Sequence, residues 1–165
     1  MHQDICWPTD KQELYPLLEK QLLGLTEDCS PVSALSNAAA LLWEALSDIN
    51  WVGFYLCKGD LLHLGPFQGK TACTMIRIGQ GVCGTAAETL SIQLVPDVHQ
   101  FPGHIACDSA SESEIVLPLT KNGILLGVMD IDAPRRNRFD EEDARGLYRL
   151  CNVLTETVDW SHGLL

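Results

Sequence analysis

Gly103-His104-Ile105-Ala106-Cys107-Asp108, a short polar run, then Glu114-Ile115-Val116-Leu117-Pro118-Leu119 and Gly127-Val128-Met129-Asp130-Ile131-Asp132 decide how this chain is read. The two apolar runs have the composition of strands buried on both faces. Lys121-Asn122-Gly123 lies between them and joins them as a hairpin. Three carboxylates, Glu114, Asp130 and Asp132, stand at the ends of these runs. A buried strand gains nothing from ending in acids unless they have a partner or a task. Cys107 adds one thiol from the polar loop just ahead. A thiol beside clustered acids points to thiol chemistry on a small polar ligand.

Whether the acids cluster depends on register. A two-residue Asn122-Gly123 turn pairs Lys121 with Ile124 and sets Glu114 opposite Ile131, on the face away from Asp130 and Asp132. A three-residue loop with Gly123 left-handed pairs Thr120 with Ile124 and sets Glu114 across from Asp130, with Asp132 on the diagonal. Only the second gathers the acids, so the longer loop, or a bulge with the same effect, is expected. Asp130 and Asp132 share a face in either case, and like charges that close raise one pKa and keep a proton available.

Outward from the hairpin, the pattern alternates helices and short strands. A helix over 10–25 has Asp10 and Glu13 at capping-box spacing, with Pro16 making its first turns irregular. A second begins at Ser30 with Pro31 in the first position, burying Leu35, Ala38, Ala39, Leu42, Trp43 and Leu46. Residues 50–56 alternate as a strand, with Trp51, Gly53 and Tyr55 on one face and Val52, Phe54 and Leu56 on the other. A return strand covers 61–64, broken by Pro66 and Gly69. Further short strands are expected at 75–78 and 92–95, with a small-residue helix over 85–90 between them. Residues 96–113 read as a long loop, unusual enough to imply function. Asp140 caps a last helix with stripe Leu147, Leu150, Cys151, Leu154 and Val158. The fold class is α+β: a central antiparallel sheet flanked by helices on its faces.

Length and charge narrow the function. At 165 residues the chain makes one compact domain. No run approaches eighteen apolar residues, and the start lacks a signal-peptide layout, so a cytoplasmic protein is expected. A net charge of −11 repels phosphate backbones and anionic lipid, which excludes nucleic acid and membrane as partners and favours a small zwitterion or cation. Seven cysteines, an odd number without tight spacing, argue for a few active thiols among buried ones.

Cys107, flanked by His104 and Asp108, is placed to ionise near neutrality and act as a nucleophile. Cys73 and Cys83 each offer a resolving thiol for a sulfenic acid on Cys107. The rival chemistry, a zinc site from these thiols with His99 and His104, lacks any Cys-x-x-Cys pair, and no metal or other cofactor is implied. Gly79-Gln80-Gly81-Val82-Cys83-Gly84 lacks the context of a dinucleotide loop. Its glycines suit close approach of a ligand carboxylate to a helix start. Trp51 and Tyr55 suit either a pocket wall or the core. His2, His63 and His162 read as surface residues, and Cys6, Cys29, Cys57 and Cys151 carry no assigned role.

Six ordered motifs resemble the free methionine-R-sulfoxide reductases, which use a GAF-type domain. They are 50–55 (Asn-Trp-Val-Gly-Phe-Tyr), 65–73 (Gly-Pro-Phe-Gln-Gly-Lys-Thr-Ala-Cys), 81–86 (Gly-Val-Cys-Gly-Thr-Ala), 103–108, 113–119 and 127–132. The resemblance runs from about Ser33 to Val158. It implies a GAF-like catalytic domain over 31–165 behind an N-terminal helical segment over 1–30. It implies thiol-dependent reduction of the R epimer of free methionine sulfoxide, with thioredoxin as the recycling partner. Cys107 matches the family's catalytic cysteine, Cys73 the usual resolving one and Cys83 a third that relays the disulfide or stands aside. Trp51 matches the residue packing the substrate methyl, with Tyr55 beside it. Glu114, Asp130 and Asp132 match the carboxylates that hold the sulfoxide oxygen and the ammonium. The alternative is a GAF-type sensor, for which 165 residues leave no room for an output domain. A homodimer is admitted without being specified by the sequence.

Overall fold

The computed structural model describes residues 5–27, 29–105 and 107–161; His2 and His162 lie outside them. Helix α1 (Lys11–Thr26) is capped by Asp10, whose side chain accepts from the Gln12 N–H, and it runs unbroken past Pro16. Helix α2 (Pro31–Ala45) is capped by Ser30 with proline in its first turn. Its buried face is the expected one except for Trp43, which is 41% exposed.

Six strands follow: β1 (Trp51–Lys58), β2 (Leu61–Gly69), β3 (Met75–Arg77), β4 (Gln93–Val95), β5 (Ser113–Lys121) and β6 (Ile124–Ala133). Helix α3 (Gly81–Thr89) lies between β3 and β4, and helix α4 (Glu141–Thr157) closes the described chain. All pairings are antiparallel, in the order β3-β2-β1-β6-β5-β4. β2 does not stop at Pro66 as its composition implied. The β1 pairing jumps from Gly53↔Phe67 to Tyr55↔Leu64, a bulge that takes up the proline. The 96–113 stretch is largely irregular, with one 3-10 turn over Val98–Gln100.

Alternation along β1 divides the core. Val52, Phe54 and Leu56 join Ile115, Leu117, Met129 and Ile131 under α1, α2 and α4. Trp51 and Tyr55 face the other way, with Val116 and Val128, toward Val82, Cys83, Ala86 and Ala87 of α3. Each face thus has its own helical cover, and the second is thin enough to admit a pocket.

The β5–β6 hairpin corrects the expected turn while keeping its consequence. The connection is the two-residue turn after all: Asn122 and Gly123 both have positive φ (52° and 77°), and Lys121 pairs with Ile124. The ladder then slips, from Thr120↔Leu125 to Leu119↔Gly127, leaving Leu126 as the extra residue on β6. That bulge reverses the parity of everything beyond it. Glu114 therefore pairs with Asp132, not with Asp130, which pairs with Val116. Glu114 and the two aspartates still share one face, with Asp130 on the diagonal.

Candidate active site

The shared face opens into a pocket of about 530 Å³, counting its open mouth, between the sheet and the start of α3. Trp51 and Tyr55, four apart on β1 and on the same face, form its floor, their ring centroids 6.0 Å apart, and Trp51 also stacks on Phe67 at 5.3 Å. Both rings are buried, so the pocket-wall and core readings hold together. Their polar atoms fasten the β2–β3 loop: Trp51 Nε1 donates to the Lys70 carbonyl and the Tyr55 hydroxyl to the Cys73 carbonyl, each at 3.1 Å. At the other wall Gln80, Gly81 and Val82 bring the N-terminus of α3 to the pocket. No side chain caps it, so its first-turn N–H groups are suited to an anionic ligand group. The helix starts four residues earlier than composition indicated, at Gly81, whose φ of +63° suits a glycine.

Glu114, Asp130 and Asp132 are all held well above the usual carboxylate range. Burial is the leading cause for each, and the neighbouring carboxylates add to it. Charge repulsion alone, the cause expected from spacing, is thus the lesser one. Asp130 and Glu114 share a hydrogen bond, which requires a proton between the two carboxyls. The second Asp130 oxygen, Oδ1, is buried with no hydrogen-bond partner. An orphaned buried acceptor costs about 1–3 kcal/mol, which marks a place for a donor from a ligand.

The thiols divide in two. Cys83, in the first turn of α3, is buried, hydrogen-bonded to Asp130, and pushed up by burial and by the acids. Its sulfur and oxygens of Glu114 and Asp130 lie within 4.8 Å of one another. Cys107 and Cys73 form the other pair: their side chains are hydrogen-bonded, and the Cys107 sulfur also accepts from the Cys73 backbone N–H. Neither is in a disulfide.

The surroundings of Cys107 disfavour its thiolate, contrary to the expectation that it ionises near neutrality. Desolvation and the adjacent Cys73 thiol push it up to about 12. His104, expected to activate it, turns instead to the acids, with Nε2 3.3 Å from Glu114 Oε2. Desolvation lowers its own pKa, so it is a neutral imidazole there. The imagined zinc set does not assemble among the described residues. His99 groups with Asp97 and Glu112, and no cluster combines the thiols with both imidazoles.

Residue-level reading passed over two contributors. Ser111, within the polar run, hydrogen-bonds the Asp132 carboxylate. Asn50, just ahead of β1, donates to Asp108 at 3.2 Å and to Ser111 at 3.1 Å, and its backbone N–H reaches the Asp132 carbonyl at 2.9 Å. Asn50 precedes an apolar strand and Ser111 sits between polar neighbours; neither setting distinguishes a site residue from a solvated one.

A six-stranded antiparallel sheet with helices on both faces and a pocket under one of them is the architecture of a GAF domain, and a family model described as a GAF domain matches residues 31–159. The free methionine-R-sulfoxide reductase of Escherichia coli is 51% identical over 150 residues, covering 90% of this chain and 91% of the relative. That of Saccharomyces cerevisiae is 45% identical over 157 residues, covering 90% and 87%. Among solved structures, the free methionine-R-sulfoxide reductase from Neisseria meningitidis in complex with its substrate superposes with a TM-score of 0.92 at 42% identity, covering 98% of each chain. The chain belongs to the free methionine-R-sulfoxide reductase family of GAF-domain proteins. Among the described residues no helix is long and apolar enough to cross a membrane.

Proposed function

We propose that this protein reduces free L-methionine (R)-S-oxide to methionine, using Cys107 as nucleophile. The observation that carries the proposal is the cluster of buried carboxyls, Glu114, Asp130 and Asp132, all raised well above the usual carboxylate range in a pocket that also presents Cys107. A sulfoxide sulfur is a poor electrophile until its oxygen is protonated or strongly hydrogen-bonded, and a neutral carboxyl does this at neutral pH. An ionised member of the acid trio holds the substrate ammonium, the α3 N-terminus its carboxylate, and Trp51 with Tyr55 its methyl. The incoming ammonium adds positive charge among the acids, which favours the Cys107 thiolate once substrate is bound.

The oxygen passes from the substrate sulfur to Cys107, giving methionine and a sulfenic acid. Cys73 condenses with that acid to a disulfide with loss of water, and thioredoxin opens the disulfide by exchange. Cys83 is the second candidate for that condensation or a relay to it. Residues 31–165 form the catalytic unit behind the 1–30 helical segment, in a cytoplasmic protein, and a homodimer is compatible with this scheme. NADPH oxidation coupled through thioredoxin and its reductase tests the reading, using resolved R and S epimers, free and peptide-bound. Turnover confined to the free R epimer supports it; equal turnover of S or of peptide-bound substrate, or none at all, overturns it.

A further inference from the structure

The Cys107 and Cys73 sulfurs ride on two irregular segments that no strand pairing joins. The Cys73 loop is fastened to β1 through the Trp51 and Tyr55 bonds to its carbonyls. The Cys107 segment has no such aromatic posts. It is held by the next residue, Asp108, whose side chain is largely covered (11% exposed). Asp108 Oδ2 accepts from Asn50 Nδ2 at 3.2 Å, and Oδ1 accepts from the Ala110 N–H at 2.9 Å and from Lys70 Nζ at 3.4 Å. Asn50 is itself fixed to β6 by its backbone bond to the Asp132 carbonyl. Lys70 belongs to the Cys73 loop. Among the described residues, the thiol contact aside, the Asp108–Lys70 pair is the side-chain hydrogen bond or ion pair that links the two segments.

We propose that Asp108 is a positioning residue for the second half of the reaction, clasping the Cys107 segment to the Cys73 loop so that the two sulfurs can join. This rests on the reading of Cys73 as the resolving thiol. The step it serves is Cys107–SOH plus Cys73–SH giving Cys107–S–S–Cys73 and water. The S–O bond breaks and an S–S bond forms. The Cys73 sulfur is oxidised and the sulfenic sulfur reduced by the same amount, and the Cys73 proton leaves with the hydroxide as water. Transfer of oxygen from substrate to Cys107 does not involve Cys73, so loosening the clasp leaves that earlier step running.

Lys70→Ala in the full chain separates the two steps under single turnover; Asp108→Ala, which also releases Asn50, is read for the disulfide step alone. Methionine is quantified by rapid quench, the disulfide by alkylation and mass spectrometry, and the sulfenic acid by dimedone trapping on Cys107. The clasp predicts a methionine burst close to the parent rate, disulfide formation slower by about tenfold or more, and a dimedone adduct that accumulates. Lys70→Arg restores disulfide formation. Lys70 is exposed, so its variant keeps the test open should Asp108→Ala fail to fold. A burst and a disulfide step that slow together, or a disulfide step unchanged in the Lys70 variant, overturn the proposal. Should the parent release no methionine, the substrate reading fails on its own. The clasp is then read by making Cys107–SOH with one equivalent of hydrogen peroxide and timing its loss to the disulfide.

Discussion

In the proposed mechanism a buried carboxyl of the Glu114, Asp130 and Asp132 cluster supplies the proton, and the burial of these acids fixes a sign. Folding raises the pKa of Glu114, Asp130 and Asp132, so the folded chain gives up their protons at higher pH than the unfolded chain, which releases them near the ordinary carboxylate value of about 4. The folded state therefore binds more protons, and these groups make stability fall as pH rises through their raised folded values. Asp130→Asn removes that dependence at one site. Its stability relative to the parent, from urea denaturation at pH 5 and pH 8, should improve at the higher pH, while methionine formation is lost; an unchanged difference between the two pH values contradicts a proton on Asp130. The thiols give a second prediction at this scale. Cys107→Ser should abolish reduction, whereas Cys73→Ser should still release about one methionine per chain and then fail to recycle with thioredoxin. A lost first turnover with an intact Cys107 thiol would move Cys73 into the chemistry and leave Cys83 as resolver. Residue types and motif positions made the acids, thiols and aromatics legible. The state of Cys107 was not, because it follows from desolvation and from the Cys73 contact, which sequence neighbours do not report.

The β5–β6 hairpin is the element that makes the site, and its decisive feature is one unpaired residue, Leu126. The Asn122-Gly123 turn obeys local preference, and the bulge three residues further on undoes the register that turn would impose. An apolar run such as Ile124-Leu125-Leu126-Gly127 carries no alternation, so the slip left no periodic trace. Gly127 is the nearest thing to a signal. It sits against β1 so closely that an added Cβ would run into the Tyr55 carbonyl oxygen. Gly127→Ala should therefore cost about 1–3 kcal/mol by urea denaturation through separation of β1 from β6. It should also weaken substrate binding, since it displaces Tyr55. A variant of parental stability would show that the contact relaxes freely. Strand and helix existence was readable from capping residues and alternation, as at Ser30-Pro31 and Asp140. The length of β2 was not, because a bulge on β2 itself, Gly65 and Pro66 opposite Phe54, accommodates the proline and no local rule announces it.

At the scale of the whole molecule, the site's sheet is backed by a polar tie among α1, α4 and the approach to α4. Asp143, 1% exposed, closes the capping box of α4 with Asp140. It also accepts from the Tyr15 hydroxyl at 2.6 Å, pairs with Lys11 at 2.8 Å and meets Arg138 at 3.5 Å. Removing one partner from such a buried set leaves uncompensated charge, so Asp143→Ala should destabilise by about 3–5 kcal/mol in urea, with no change in which epimer is reduced. Preserved stability would show that the polar tie adds little to the packing of α1 on α4. The capping half of this tie was visible in the Asp140 and Asp143 spacing; its reach to Lys11 and Tyr15 joins residues more than a hundred positions apart, beyond any local pattern. On the proposed function, this folded chain, with its own proton and its own thiol, converts one particular sulfoxide before any reductant is needed. The direct measurement is a single turnover by fully reduced protein, without thioredoxin, on resolved R and S epimers of free methionine sulfoxide and on the N-acetylated R epimer. The account predicts about one methionine per chain from the free R epimer and none from the others; no methionine from the free R epimer, or equal yields from S or from the N-acetylated compound, would contradict it.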